Sequence, residues 1–477
     1  MMETMIKETL VTFKQFEQKM YQKKCREGQE ETKAFLEGFD KYLFRNRDTR
    51  KFRDKGLRST VIKTVYGEVE YSRHVYQVQD EHGSRYCVYL LDEILKMEHV
   101  GKFSENFIDL LVSSVTTQSF RGCAKYLSET TGQTISGMGV WNIVQELGTR
   151  LEKEEKELGK ANEVGLLAGT REAPVLFEEI DGVYLSMQRE DRKRNPKGIA
   201  EMKVGIAYDG WIRTGKDRYL LDGKVAFAGF SKAPEFHALM EAKIAAEYNL
   251  DETDLRVLNG DGADWIKQVP DHETVFQLDP YHRNKEITKN IPDKKARQAI
   301  MELLQENKTD ELFNYLQIYR DSLSDDGEIS KADELIGYLA DNREGLIPYT
   351  QRKDLKVPKS PKGLEYRNMG TMENHVYSIV AQRMKHQHRS WKKNSATNLA
   401  KILAKKSEGK LYEVTRPKIL YGFDPDVLKR LQGECLSAAK SVARVGKGYE
   451  YPIRGSLTAI ESELRGDPVK LFKMAGY

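Results

Sequence analysis

Three acidic residues stand in local contexts suited to metal chemistry: Asp181 in EEIDGVYLSMQ, Asp261 in VLNGDGADWIKQV and Glu373 in MGTMENHVYSIVAQRMK. Asp181 interrupts a run that otherwise reads as an apolar strand, where a carboxylate is disfavoured unless it is paired or binds a cation. Asp261 follows a short strand, and the glycines flanking it permit a tight acidic loop at the strand's carboxyl end. Glu373 opens a helical segment in which Val376, Ile379, Val380 and Met384 share an apolar face, leaving Glu373, Arg383 and Lys385 to line a polar side. Carboxylates gathered from distant parts of a chain suit one task well. Hard oxygen donors hold Mg2+, and two such ions roughly 3.5–4 Å apart stabilise both the attacking and the leaving oxygen of a phosphodiester displacement. The ordinary alternatives are an edge or turn position for Asp181 and an N-cap or Asx turn for Asp261. Asp264 reads as the cap of the next helix rather than as a ligand.

Asp279 and His282 in LDPYHRNK form an Asp-x-x-His element at the end of a strand. No cysteine or further histidine accompanies them at zinc spacing. They read as groups that orient the site or the DNA, with a structural hydrogen bond as the alternative. In RMKHQHRSWKK, Arg383, Lys385 and Lys392 read as phosphate contacts. Trp391 can stack on a base, although packing into a core is the commoner fate of a tryptophan.

The segments that must position these groups begin near residue 170. VLFEEIDGVYLSMQ, MKVGIAYDGW and YLLDGKVAFAGF are successive strand candidates, PEFHALMEAKIAAEYNL is a helix, LRVLNG is a short strand, and TVFQLDPYHRNKEI is a strand running into a helix. Three antiparallel strands, a helix, a strand, a helix and another strand is the element order of a ribonuclease-H-like α/β domain with a mixed sheet. Its first Asp lies on the first strand and its second just after the fourth. The expected domain runs from 170 to 400, with a helical insertion at about 290–355 that accounts for the gap between Asp261 and Glu373.

Upstream, residues 1–100 read as an α+β region that binds DNA ends. It holds a helix to about residue 45 and a β-hairpin around Gly67. Residues 101–150 read as a helical helix-turn-helix domain, with Ser119 and Ser136 as caps, Gly132 as the stop, and Gly137–Leu147 as the groove-facing helix. A plain helical hairpin is the alternative. The charged helix LEKEEKELGKANEV reads as a linker, and residues 401–477 as a basic C-terminal region.

At 477 residues the chain exceeds one compact core. Its net charge of +4 is modest, but basic clusters at 189–197, 383–393 and 401–410 are local, and phosphate binding depends on local patches. The four cysteines lie far apart, with no C-x-x-C pair, which argues for reduced thiols. No apolar run approaches the ~20 residues of a membrane span, and the N-terminus reads as an amphipathic helix rather than an export signal. A cytoplasmic, nucleoid-associated protein is the expectation.

Taken together, Asp181 in IDGV, Asp261 in GDGADWI, Asp279-x-x-His282, and Glu373 in GTMENHV with the following RMK and Trp391 resemble the core of DDE transposases of the Mutator-like kind. The whole chain is more similar still to a group of bacterial insertion-sequence transposases long known only as an uncharacterised protein family. The resemblance spans most of the chain, although the N-terminal hairpin region matches no DNA-binding module of known type. It implies a ribonuclease-H-like core that uses Mg2+, with Mn2+ able to substitute, to cleave element ends and join them to target DNA. Asp181, Asp261 and Glu373 would be the catalytic, metal-binding triad, and Asp279 and His282 the accessory motif. The implied partner is double-stranded DNA, both terminal inverted repeats and target, with a homo-oligomer formed at synapsis. Two other functions stay open on the sequence: a structure-selective nuclease without strand transfer, and a non-catalytic DNA-binding regulator.

Overall fold

The computed structural model describes residues 12–95, 103–195, 197–269, 271, 273–386 and 389–415. The described chain divides into two compact units. One comprises the residues up to Phe107 together with Glu129–Gln133, and the other Ile108–Ser128 and the residues from Thr134 onward.

The first unit opens with a long helix, α1 (Phe13–Asn46), whose N-terminus is closed by reciprocal bonds between Thr12 and Gln15. A three-stranded antiparallel sheet follows, β1 (Arg53–Thr64), β2 (Gly67–Gln79) and β3 (Arg85–Val88). The expected hairpin is present, with Thr64 paired to Gly67 at its turn. A short helix, α2 (Leu90–Leu95), comes directly after β3. Leu36 and Phe39 of α1 bury against Ile62, Val69, Tyr71 and Leu91, which joins helix, sheet and α2 in one small core.

Three helices come next, α3 (Glu105–Val115), α4 (Phe120–Thr131) and α5 (Gly137–Glu163), of which the second unit holds α3 from Ile108, α4 as far as Ser128 and all of α5. Ser119 and Ser136 accept amide bonds from Gly122 and Gly139, and Gly132 has a φ of +67°. The caps expected from the sequence are thus in place. Helix α5 does not stop at Leu147. Its apolar stripe continues through Val140, Val144, Leu147 and Leu151, so the charged segment expected as a linker is the second half of one helix. The stripe that α5 exposes between Gly137 and Leu147 is Met138, Asn142 and Glu146, which carries no cation.

A five-stranded sheet forms the centre of this unit. Its members are β4 (Val175–Ser186), β5 (Ile199–Tyr208), β8 (Val225–Gly229), β9 (Leu255–Gly260) and β10 (Val275–Leu278), in the order β10-β9-β4-β5-β8. β5 runs antiparallel to both β4 and β8, whereas β4, β9 and β10 are mutually parallel. β4 is central, and its first seven residues are all buried, as a strand covered on both faces requires. A short helix, α6 (Arg189–Lys193), follows β4. The run YLLDGKVAFAGF is two strands, not one. Gly223, at φ +59°, separates β7 (Tyr219–Asp222), which pairs with β6 (Gly210–Arg213) in a side ribbon, from β8.

Helix α7 (Ala233–Glu247) covers one face of the sheet, burying Phe236, Met240 and Ile244 against Leu176, Ile180, Phe227 and Leu258. After the one-turn α8 (Asp264–Lys267) and β10 comes α9 (Pro280–Asn290). Three helices follow where the sequence suggested helix, α10 (Lys294–Gln305), α11 (Thr309–Asp321) and α12 (Asp326–Asp341), held by their own leucine-rich core. The chain returns through α13 (Met372–Val376), a π-helical turn at Tyr377–Ala381, and α14 (Gln382–Met384). It then forms α15 (Lys393–Ser407), which buries Leu399, Ala400 and Leu403, and a 3-10 turn at Leu411–Val414. Gly148 marks the crossing of α5 with α15. A Cβ there would stand 2.3 Å from that of Asn398. The boundaries expected at 150 and 400 therefore fall inside α5 and α15, two helices packed in the same unit as the sheet.

Among the described residues, no helix is long and apolar enough to cross a membrane.

Candidate metal centre

Alternate residues of a strand point to opposite faces. Glu178 on β4 therefore turns toward α7, where Arg256 donates to it and to Glu241, while Glu179 and Asp181 share the other face. Strand register extends that face sideways in two rows. Glu179 pairs with Asn259 of β9, and Asn259 with Gln277 of β10. One pleat further on lie Asp181 and, just past the ends of β9 and β10, Asp261 and Asp279.

The outer row supplies the chemistry. One ligand atom each from Asp181, His282 and Glu373 lies within 4.8 Å of the other two, which makes these three a potential metal-binding group. Asp181 is buried on β4, its Oδ1 accepting the amide of Gly182 at 2.7 Å and its Oδ2 standing 3.9 Å from His282 Nε2. Burial, with the nearby charges of Asp261 and Glu373, pushes the Asp181 carboxyl up to about 6, against the pull of His282 and the Gly182 amide. A carboxylate held this high among other carboxylates is a site short of positive charge. Glu373 is exposed in the first turn of α13.

Asp261 is not one of the three converging groups, although its charge reaches Asp181. Its Oδ1 accepts the Ala263 amide at 2.9 Å, so the Asx-turn alternative describes its local geometry. Its carbonyl accepts from Tyr338 Oη at 2.8 Å, and Gly262 turns the chain at φ +91°. Asp264, expected to cap the helix, is instead the first residue of α8; the N-cap is Ala263, no side chain caps it, and Asp261 closes the turn just ahead of it.

Asp279 caps α9 by accepting the Tyr281 amide at 2.7 Å. One helical turn later His282 presents Nδ1 at 3.9 Å from Asp279 Oδ2 and Nε2 toward Asp181. The Asp-x-x-His spacing thus sets an imidazole between the cap and the acidic cluster.

The inner row is marked by no motif in the sequence. Glu179, fully buried, receives Gly370, Thr371 and Met372 amides at 3.1, 2.9 and 3.1 Å on Oε2, and the Thr371 and Tyr208 hydroxyls at 2.6 and 2.7 Å on Oε1. Asn259 Nδ2 bridges Glu179 and Asp279, 3.2 Å from each, and its Oδ1 accepts from Gln277. Burial raises the Glu179 carboxyl above its ordinary range, while the hydroxyl and amide donors pull it back.

Two residues expected to contact DNA are interior. Arg383 donates from Nε to the Val115 carbonyl at 2.8 Å and lies over the rings of Phe120 and Trp391, and burial lowers its guanidinium to about 10. Trp391 is buried, with Nε1 donating to the Met384 carbonyl at 2.8 Å. Both side chains serve to fasten α14 to α3 and α4. Lys385 and Lys392 remain exposed. Trp391 also bridges to Met187, and Lys393 donates its amide to Asp191, which brings the exposed Arg189, Arg192 and Arg194 to the same side of the chain as Lys392.

Oxygen donors with one imidazole fit Mg2+ and suit Mn2+ at least as well. A family model described as Uncharacterised protein family (UPF0236) matches residues 6–417. The chain belongs to this family. It is 25% identical over 387 residues to a UPF0236 protein in the vanSb 3' region of Streptococcus gallolyticus, covering 80% of this chain and 79% of that one. A UPF0236 protein of Caldanaerobacter subterraneus subsp. tengcongensis is 23% identical over 406 residues, covering 81% of this chain and 76% of the relative. All the site residues described above fall within the matched span.

Proposed function

We propose that this chain is a DDE transposase of an insertion sequence, binding element ends and catalysing metal-dependent cleavage and strand transfer on double-stranded DNA. The observation that carries the reading is the convergence of Asp181, His282 and Glu373 from a central strand, a following helix and a helix far along the chain, with Asp261 beside them. A ribonuclease-H-like fold is supported by the sheet, in which the strand that bears Asp181 has β5 antiparallel on one side and the parallel pair β9 and β10 on the other. Further support comes from the Caldanaerobacter relative, whose name joins eleven locus designations. Multiplicity of that kind is what a self-copying element leaves in a genome.

Asp181 and Glu373 would hold divalent cations, with His282 and Asp261 completing the shell. When bound, Mg2+ or Mn2+ supplies Lewis-acid stabilisation of the attacking and leaving oxygens. The residues themselves orient the scissile phosphate and the attacking hydroxyl rather than forming a covalent bond. Asp279 would steer His282 through its Nδ1. Exposed Lys385 and Lys392, with Arg189, Arg192 and Arg194 beside them, would follow the phosphate backbone. Arg383 and Trp391 are assigned to packing. Pairing of two ends calls for at least two copies of the chain on DNA, which places the protein with the nucleoid.

The test is incubation of the full chain with DNA spanning both flanks of its reading frame, in Mg2+ or Mn2+. Strand transfer products that vanish in Asp181→Asn and Glu373→Gln support the reading. Cleavage without joining would favour the nuclease. Metal-independent binding with no cleavage in the parent chain would point to a regulator.

A further inference from the structure

We infer that Glu179 is a positioning residue that sets Glu373 against Asp181, and so controls the metal affinity of the site without touching the ion. The inference rests on the metal-site reading above. Asp181 lies two residues beyond Glu179 on β4, and Glu373 lies two residues beyond Thr371. The bond between Glu179 and Thr371 therefore joins the two ligand-bearing segments one step below the ligands.

The chemistry of the joint is specific. The first amides of a helix have no partner within it, and Thr371, at the N-cap, makes no side-chain cap of its own. Glu179 Oε2 takes three consecutive amides that lead into the helix, those of Gly370, Thr371 and Met372, the last of them the helix's first, and also Asn259 Nδ2. Oε1 takes the Thr371 and Tyr208 hydroxyls. Every neighbour donates, and an ionised carboxylate is the side chain that only accepts. Burying a charge is costly unless its partners are complete. A glutamine would keep the shape but turn a donor toward donors. Gly370, at φ +121°, lets its own amide join the set. The sheet side of the joint is equally fixed, because Asn259 is held by Gln277 and Gln277 in turn by the Tyr349 amide. Glu373 itself is exposed near the start of a five-residue helical segment, so its direction depends on where that start is pinned.

The experiment is Mn2+ titration of the full chain, with Glu179→Gln and Thr371→Val beside it, each first shown folded by circular dichroism at the titration temperature. Amide exchange at residues 370–372 is followed in the same samples. Glu179→Gln is expected to bind Mn2+ about 10–100-fold more weakly, the usual cost of losing a group that orients metal ligands. Its exchange should accelerate at Gly370, Thr371 and Met372 and remain unchanged in α7. Thr371→Val should shift affinity in the same direction by less, and it carries the test if Glu179→Gln does not fold. Parent-like Mn2+ affinity in a folded variant overturns the positioning role. A parent chain that binds no Mn2+ overturns the metal reading itself, a distinct failure.

Discussion

Glu179 accepts both the amide and the hydroxyl of Thr371, at 2.9 and 2.6 Å, and so ties the central strand to the helix that carries Glu373. Two acids that look alike in EEIDG thus have different work. Glu178, one residue earlier, faces α7 and is neutralised by Arg256 at 2.8 Å.

The interior lacks room at the crossing of α5 and α15. Gly148→Ala should destabilise the protein by about 1–3 kcal/mol, because an added methyl meets Asn398 and overpacking outweighs a helix-propensity gain of up to ~1 kcal/mol. Chemical denaturation of the variant measures the difference. A stabilised Gly148→Ala would mean that the two helices do not approach this closely.

His237 gives stability a pH dependence. Its ring is buried on α7, donating from Nε2 to the Trp265 carbonyl at 2.6 Å. Burial, with a smaller push from Lys203, holds its pKa below the ordinary value, although the Trp265 bond and Glu241 oppose the shift. The unfolded chain then takes up a proton near pH ~6.5 that the folded chain refuses until lower pH, so acidification favours unfolding. The contribution of His237 should fall as the pH drops through ~6.5, while the raised Asp181 carboxyl works in the opposite sense; His237→Gln, which keeps a donor for Trp265, should therefore lose less stability on acidification than the parent. Identical pH profiles for the two proteins would contradict the assignment.

The exposed arginines after β4 should matter for DNA and not for folding. Replacing Arg189 and Arg192 by alanine should weaken duplex binding regardless of sequence and lower the salt slope by about 0.9 for each phosphate no longer neutralised. Arg383→Ala should act in the opposite way, costing stability because Arg383 is interior. Fluorescence anisotropy across a salt series separates the two effects.

Local pattern made the main strands legible, since apolar runs such as VLFEEI and VAFAG need only period and β-propensity to be read. The caps at Ser119 and Ser136 and the helices between 294 and 341 are legible in the same local way. What escaped was non-local. The linker reading of 151–164 failed because charges on the open face of α5 mask a buried stripe that reaches Leu151 and Glu155. Trp391 and Arg383 looked like DNA contacts because a basic, aromatic segment reads alike whether it faces phosphate or caps its own carbonyls. The row of Glu179, Asn259 and Gln277 needs strand register to be seen, and no spacing in the chain announces it. Period two along β4 does carry one clue, since it puts Glu179 on the same face as Asp181.

Asp181, Asp261 and Glu373 should not be equivalent in single substitutions. Asp181→Asn and Glu373→Gln remove converging ligands, whereas Asp261→Ala also removes the acceptor that closes the turn on Ala263. All three should abolish strand transfer and leave binding of element ends intact, and Asp261→Ala alone should also lower the unfolding midpoint. Gel assays for binding and joining, paired with thermal unfolding, distinguish them.

The most direct measurement is a crystal structure of the full chain grown with Mn2+, read at the manganese absorption edge. An anomalous peak bounded by Asp181, Glu373 and His282, lost in Asp181→Asn, is the predicted result. Ligand side chains turned apart with no peak among them, in crystals where Mn2+ is present at millimolar concentration, would contradict the account.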